Sequence, residues 1–162
     1  MESKMSSNSR TVKGLNIAII VLAAIALLIS LGALVNFANY NAALSDPSVQ
    51  SSLYNQLSQE IAKSKTKGVT SADGMAYLAA VGSVGLGVSV VALISSIVAL
   101  IAGILGVRNA DKPNELGKVF GLTIVAIILS VFYLNIVIVI LLIISAVFIN
   151  KVRKSAVAIP AA

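Results

Sequence analysis

The chain contains no cysteine, no histidine and no tryptophan. Without cysteine there is no disulfide, no thiolate metal site and no catalytic thiol. Without histidine the commonest general base and the commonest metal ligand are both missing. Acidic side chains are scarce too: Glu2, Asp46, Glu60, Asp73, Asp111 and Glu115 are the whole set. All six lie outside the long apolar blocks, so no buried acid is present there for a proton relay or a carboxylate pair. Hydroxyls occur within the blocks at Ser83, Ser89, Ser95, Ser96, Thr123, Ser130 and Ser145, but no lysine or histidine lies beside them to activate one. An enzyme is therefore not expected, nor any catalytic residue, cofactor, metal ligand or small-molecule substrate.

What the chain does have is hydrophobicity. It is 58% hydrophobic and only 11% charged, with a mean hydropathy of +0.99, whereas a soluble domain carries about 25% charged residues. No charge falls in 14–45, 74–107 or 119–150. Uncharged apolar runs of this length read as membrane-spanning helices. The expected fold is all-α: a polytopic helical membrane protein with three long apolar blocks and one extramembrane amphipathic helix. Residues 14–150 form a single membrane domain. A polar stretch, 1–13, precedes it and would be disordered alone; a basic tail, 151–162, follows. The first block, Leu15 to about Val35, has 21 residues, enough to cross ~30 Å of hydrocarbon. It exceeds the ~7–15 apolar residues of a secretory signal, so it reads as an uncleaved anchor. Its N-terminus is expected in the cytoplasm, in a prokaryotic plasma membrane or a viral envelope.

After this block, Asp46-Pro47 has the form of an N-cap followed by a first-turn proline. Val49, Leu53, Leu57 and Ile61 then recur every four residues among polar ones. This predicts an amphipathic helix over about 47–67, ending near Gly68. Its apolar stripe is a candidate surface for docking on the membrane, on the other helices or on a partner. The second block covers 75–107. The polar loop RNADKPNELGK joins it to the third block, 119–150, and predicts a helical hairpin.

The number of crossings turns on Asn135. Basic residues fall in four groups of three: Lys4, Arg10, Lys13; Lys63, Lys65, Lys67; Arg108, Lys112, Lys118; and Lys151, Arg153, Lys154. Three crossings would divide the twelve evenly between the two sides. Four, with a turn near Asn135, would place nine inside and three outside, as the positive-inside rule prefers. Local structure points the other way. No glycine or proline lies between 122 and 150, and a turn in hydrocarbon leaves backbone groups unsatisfied unless protein covers them. The third block is thus either one helix of ~48 Å, with Asn135 bonding between helices, or two shorter spans that turn at Asn135.

The net charge of +6 does not suggest nucleic acid, because the basic groups flank apolar segments and lack interleaved aromatics. Lys4, Arg10, Lys13, Arg108, Lys112, Lys118, Lys151, Arg153 and Lys154 instead suit topology and contact with lipid headgroups. Gly82, Gly85 and Gly87 lack the strand and the Lys-Ser/Thr of a phosphate loop and are expected to serve helix packing. Ala99 with Gly103, and Ala102 with Gly106, are small-xxx-small pairs of the kind that bring helix backbones together in membranes.

The segment GILGVRNADKPNELGKVFGLTIVAIILSVF resembles the loop-centred hairpin of small bacterial four-helix membrane proteins of uncharacterised function. The resemblance is carried by Gly103, Gly106, Arg108, Gly117, Lys118 and Gly121 and covers about a fifth of the chain. It implies a tetraspan fold and no particular chemistry; the third block departs from it in having no glycine after Gly121. The function expected is that of a non-catalytic scaffold, assembly factor or accessory subunit. Its partners would be the bilayer and other membrane chains or copies of itself. A structural coat or envelope protein and a channel or transporter component are the alternatives.

Overall fold

The computed structural model describes residues 2–64, 68–132 and 135–157. Within them the chain is all-helical: α1 Glu2–Leu44, α2 Pro47–Ser64, α3 Ser71–Asn109, α4 Leu116–Phe132 and α5 Ile136–Val157. Three of these helices contain stretches long and apolar enough to cross a membrane, Ser7–Leu44, Ser71–Asn109 and Ile136–Ser155; Leu116–Val131 is a shorter apolar helix.

The polar stretch 1–13 does not stand apart as an unstructured tail. From Glu2 it forms the first turns of α1. Extending an existing helix adds one hydrogen bond per residue without a new nucleation cost, and Ser9 and Val12 are buried against other elements. The amphipathic helix begins at Pro47 as expected and is described to Ser64; the last part of the expected span, 65–67, lies outside the described residues. Gly68 follows with φ of 86°, a left-handed conformation that glycine adopts without a Cβ penalty. The basic tail is a continuation of α5 as far as Val157.

The third apolar block is two helices. The Asn135 side chain accepts a hydrogen bond from the Ile138 amide at 3.2 Å, and its carbonyl accepts one from the Val139 amide at 3.0 Å. Asn135 is therefore the N-cap of α5. It was expected among the packing residues or at a turn; it stands at the start of α5, and residues 133–134, where a turn would fall, lie outside the described residues. A carboxamide at this point satisfies a helix-end amide that hydrocarbon could not.

The chain divides into two compact units: 1–30 with 91–162, and 31–90. The first is a bundle of four helical segments, with α4 and α5 packed as a pair. One buried cluster at its middle joins Ile19, Ala23, Ala26, Ala99, Ala126, Ile138 and Leu142. A second cluster, Val12, Ala110, Leu116, Val119, Ile149 and Val152, lies where four helix ends converge. The start of α1, the end of α3, the start of α4 and the end of α5 thus meet at one end, and α5 runs antiparallel to α4.

Much of the bundle's interior is small or polar. Ala99, Ala102, Ala126, Ser95, Ser96, Ser130 and Ser145 are all within 1% of full burial. Its outer surface carries the bulky residues, with Leu28 68%, Ile136 65% and Ile128 55% exposed. A water-soluble bundle places such side chains inside. Here they face outward, as they do when lipid is the solvent and small residues make the helix contacts.

The second unit holds the end of α1, all of α2 and the start of α3. Capping sets both helix starts. The Asp46 carboxylate accepts from the Ser48 amide at 2.8 Å. Thr70 and Asp73 form a reciprocal cap, with the Thr70 amide donating to Asp73 at 2.8 Å and the Asp73 amide donating to the Thr70 hydroxyl at 3.2 Å. The bonds from Ser48, its hydroxyl contributing most, hold the Asp46 carboxyl below its ordinary pKa.

Candidate functional site: a polar helix seam and a basic end

In the bundle unit, α1 and α3 approach most closely at two glycines. A Cβ on Gly103 would lie 2.8 Å from Ile20 Cγ1 and 3.2 Å from the Asn16 backbone oxygen. A Cβ on Gly106 would overlap the Asn16 carboxamide. Asn16 fills the space that Gly106 leaves and is 1% exposed. Its amide donates to the Val12 carbonyl at 2.8 Å and to the Ser145 hydroxyl on α5 at 3.2 Å. On the other side of the interior, the hydroxyls of Ser95 and Ser130 bond at 3.0 Å and join α3 to α4. Such interhelical bonds in membranes contribute about 0.6–2 kcal/mol each. The remaining interior hydroxyls bond back to their own helices, Ser96 to Ala92 and Thr123 to Val119. No buried side-chain polar atom among the described residues lacks a partner.

The second unit repeats the device. Asn41 of α1 donates to the Phe37 carbonyl at 2.9 Å and across to the Gly82 carbonyl of α3 at 3.0 Å. A Cβ on Gly82 would overlap Asn41 and come within 2.9 Å of the Tyr40 ring, and one on Gly85 would overlap the Phe37 ring. Tyr40 donates to the Leu78 carbonyl at 3.3 Å. Gly87 differs: among the described residues nothing lies within 4 Å of its Cβ position. On α2, Val49, Leu53, Leu57 and Ile61 are half-buried while the residues between them are exposed. Leu57 covers Gly74, its Cδ1 3.0 Å from the Cβ position, and Ser58 bonds Ser71 at 2.8 Å. The stripe is thus partly turned toward its own unit.

Asn16 and Asn41 were not among the residues singled out from sequence. The signal was available for Asn16, the one asparagine within the apolar run Leu15–Val35, because a polar side chain in such a helix normally faces the bundle interior. Asn41 had no such mark, since it falls in a polar stretch.

At the convergent end of the bundle, α1 brings Arg10 and Lys13 (with Lys4 earlier on the same helix), α3 and its loop bring Arg108 and Lys112, α4 brings Lys118, and α5 brings Lys151, Arg153 and Lys154. Asp111 accepts from both Lys13 and Ser9. Those bonds hold its carboxyl below the ordinary range, with Lys13 the larger cause. Lys118 lies 3.9 Å from Glu115. Two cations rest on aromatic rings: Lys151 is 4.9 Å from the Phe148 centroid, and Arg153 is 5.6 Å from that of Phe120.

Compared with known proteins, the chain matches no family model, no curated protein and no solved structure.

Proposed function

We propose that this chain is a non-catalytic integral membrane protein with four helical crossings, in the manner of small bacterial tetraspan proteins. It acts as a scaffold, assembly factor or accessory subunit through helix contacts. The observation that carries the reading is the distribution of residues in the bundle unit. Bulky apolar side chains face outward, small and hydrogen-bonded ones face inward, and one end is basic. In this arrangement α4, 17 residues or about 26 Å long, and α5, 22 residues or about 33 Å long, bracket the ~30 Å of bilayer hydrocarbon. The convergent end then lies in the cytoplasm with both termini, where nine of the twelve basic residues gather; this follows the positive-inside rule. Interior hydroxyls engaged in helix-to-helix and helix-to-self bonds support packing over a polar conduction path. The polar second unit offers the extramembrane surface on which other chains assemble.

The absence of native cysteine makes the topology directly testable. Single-cysteine variants Lys112→Cys, Ser155→Cys and Gln59→Cys are labelled in intact cells with a membrane-impermeant maleimide. The first two are expected to react only after lysis and the third before it. Reaction of Ser155→Cys and Gln59→Cys from the same side would overturn the four-crossing reading. Ion or solute flux through liposomes holding only the purified protein would overturn the scaffold reading.

A further inference from the structure

We propose that Arg153, laid on Phe120 beside Gly117, is a binding site for the phosphate group of an anionic phospholipid. The proposal rests on the membrane reading above and deepens it: it names one local site within the basic end where that reading requires only net charge.

Three observations converge on this place. The first is the seating of the cation. The Arg153 guanidinium lies 5.6 Å from the Phe120 ring centroid, within the ~6 Å over which a cation is held by an aromatic face. A guanidinium stacked in this way keeps the N–H groups at its edge free to donate, and its fork fits two phosphate oxygens. The second is the space beside it. Gly117 stands one turn before Phe120 on α4 and carries no side chain; a Cβ there would already be 3.8 Å from Arg153 Nη2. The third is the charge accounting. Among the described residues Arg153 makes no ion pair, since the carboxylates at this end, Asp111 and Glu115, are engaged by Lys13 and Lys118. Arg153 is thus a half-buried cation, oriented by a ring and, among the described residues, without a carboxylate partner.

Its position favours a lipid over a soluble anion. On α4 the first bulky outward-facing residue after Phe120 is Ile124, and on α5 the last such residue before Lys151 is Val147. The Arg153–Phe120 pair therefore sits where the apolar outer surface gives way to the charged end. A lipid can lay its chains along Ile124 and Ile128 while its phosphate meets the guanidinium. A soluble anion would gain only the second contact.

The test uses the full chain in nanodiscs of phosphatidylcholine with a minor fraction of phosphatidylglycerol, and counts retained lipids by native mass spectrometry. The wild type is expected to retain phosphatidylglycerol preferentially. Arg153→Gln should lower that preference about tenfold or more, as loss of a charge-assisted hydrogen bond does. Lys154→Gln removes the same charge from the neighbouring exposed position and should cost at most the roughly fivefold effect of one surface cation. Arg153→Lys, which keeps the charge and loses the fork, should fall between them. Equal losses in Arg153→Gln and Lys154→Gln, or no lipid preference in the wild type, would overturn the site and leave the membrane reading standing. Equal stabilisation by inorganic phosphate in pure phosphatidylcholine would overturn the lipid assignment. Failure of the membrane reading has a separate signature: the chain would not float with vesicles in a density gradient.

Discussion

The two units use the same pairing device on the same two helices but surround it differently. In each, an asparagine of α1 fills the space left by a glycine of α3: Asn16 against Gly106 in the bundle unit and Asn41 against Gly82 in the other. The surroundings diverge. Asn16 is buried among α1, α3 and α5 and bonds to α5, whereas Asn41 is half-buried and its side chain, among the described residues, bonds to α1 and α3. The contrast shows that a close helix contact depends on how much of its neighbourhood can yield as well as on its own geometry.

The largest expected effect follows from that contrast. Gly103→Val and Gly106→Val press new side chains onto the α1 backbone and onto a fully enclosed carboxamide. Each is expected to cost about 1–3 kcal/mol, read as a fall in thermal midpoint in detergent. Gly82→Ala and Gly85→Ala meet ring edges and a carboxamide in the more open unit, which can swing aside, and should cost less than the bundle substitutions. If the two pairs lose stability equally, enclosure is not what distinguishes the units.

Next comes the hydrogen bond itself. A double-mutant cycle of Asn16→Ala with Ser145→Ala should return a coupling of about 0.6–2 kcal/mol. Asn41→Ala, with no third helix to lose, should produce the smaller change in midpoint of the two asparagine variants. Gly87 provides the opposite sign. Its Cβ position is open, so Gly87→Ala should stabilise by up to about 1 kcal/mol through helix propensity alone. A loss of stability there would point to a contact made by another chain.

The smallest effect concerns acid. Asp111 in the bundle unit and Asp46 in the other both have carboxyls depressed in the folded state. A depressed folded pKa contributes stability that is present above the unfolded value, near 3.9, and is lost as pH falls through the folded value. Chemical denaturation followed from pH 6 downward should therefore show stability declining only below about pH 4. Asp111→Asn should flatten part of that decline. The groups are exposed, so the change should be slight.

Much of the helical layout can be read from the residues alone. The uncharged runs mark the apolar helices because lipid leaves a backbone no hydrogen-bond partner except itself. Asp46-Pro47 marks the start of α2 through capping chemistry that needs only neighbours in the chain. Asn135 was readable as a residue of consequence but not in its role. A carboxamide caps a helix or bridges two helices equally well, and charge counting and helix length favoured different answers. The reciprocal cap of Thr70 and Asp73 is equally local, resting on side chains three residues apart.

What the residues alone determined, then, is which segments are helical, where charge gathers along the chain, and which residue types are missing from it. All of these are properties of short stretches and of composition. Tertiary structure decided which glycines are contacts. Gly82, Gly85 and Gly87 share one short segment, yet the first two lie under α1 and the third opens outward, because a helix turns its faces about 100° per residue and only the neighbour's position selects among them. Tertiary structure likewise turned Asn16 from one polar residue in an apolar run into the point where three helices meet. That outcome requires α5 to return beside α1, and no local pattern within α1 carries that information.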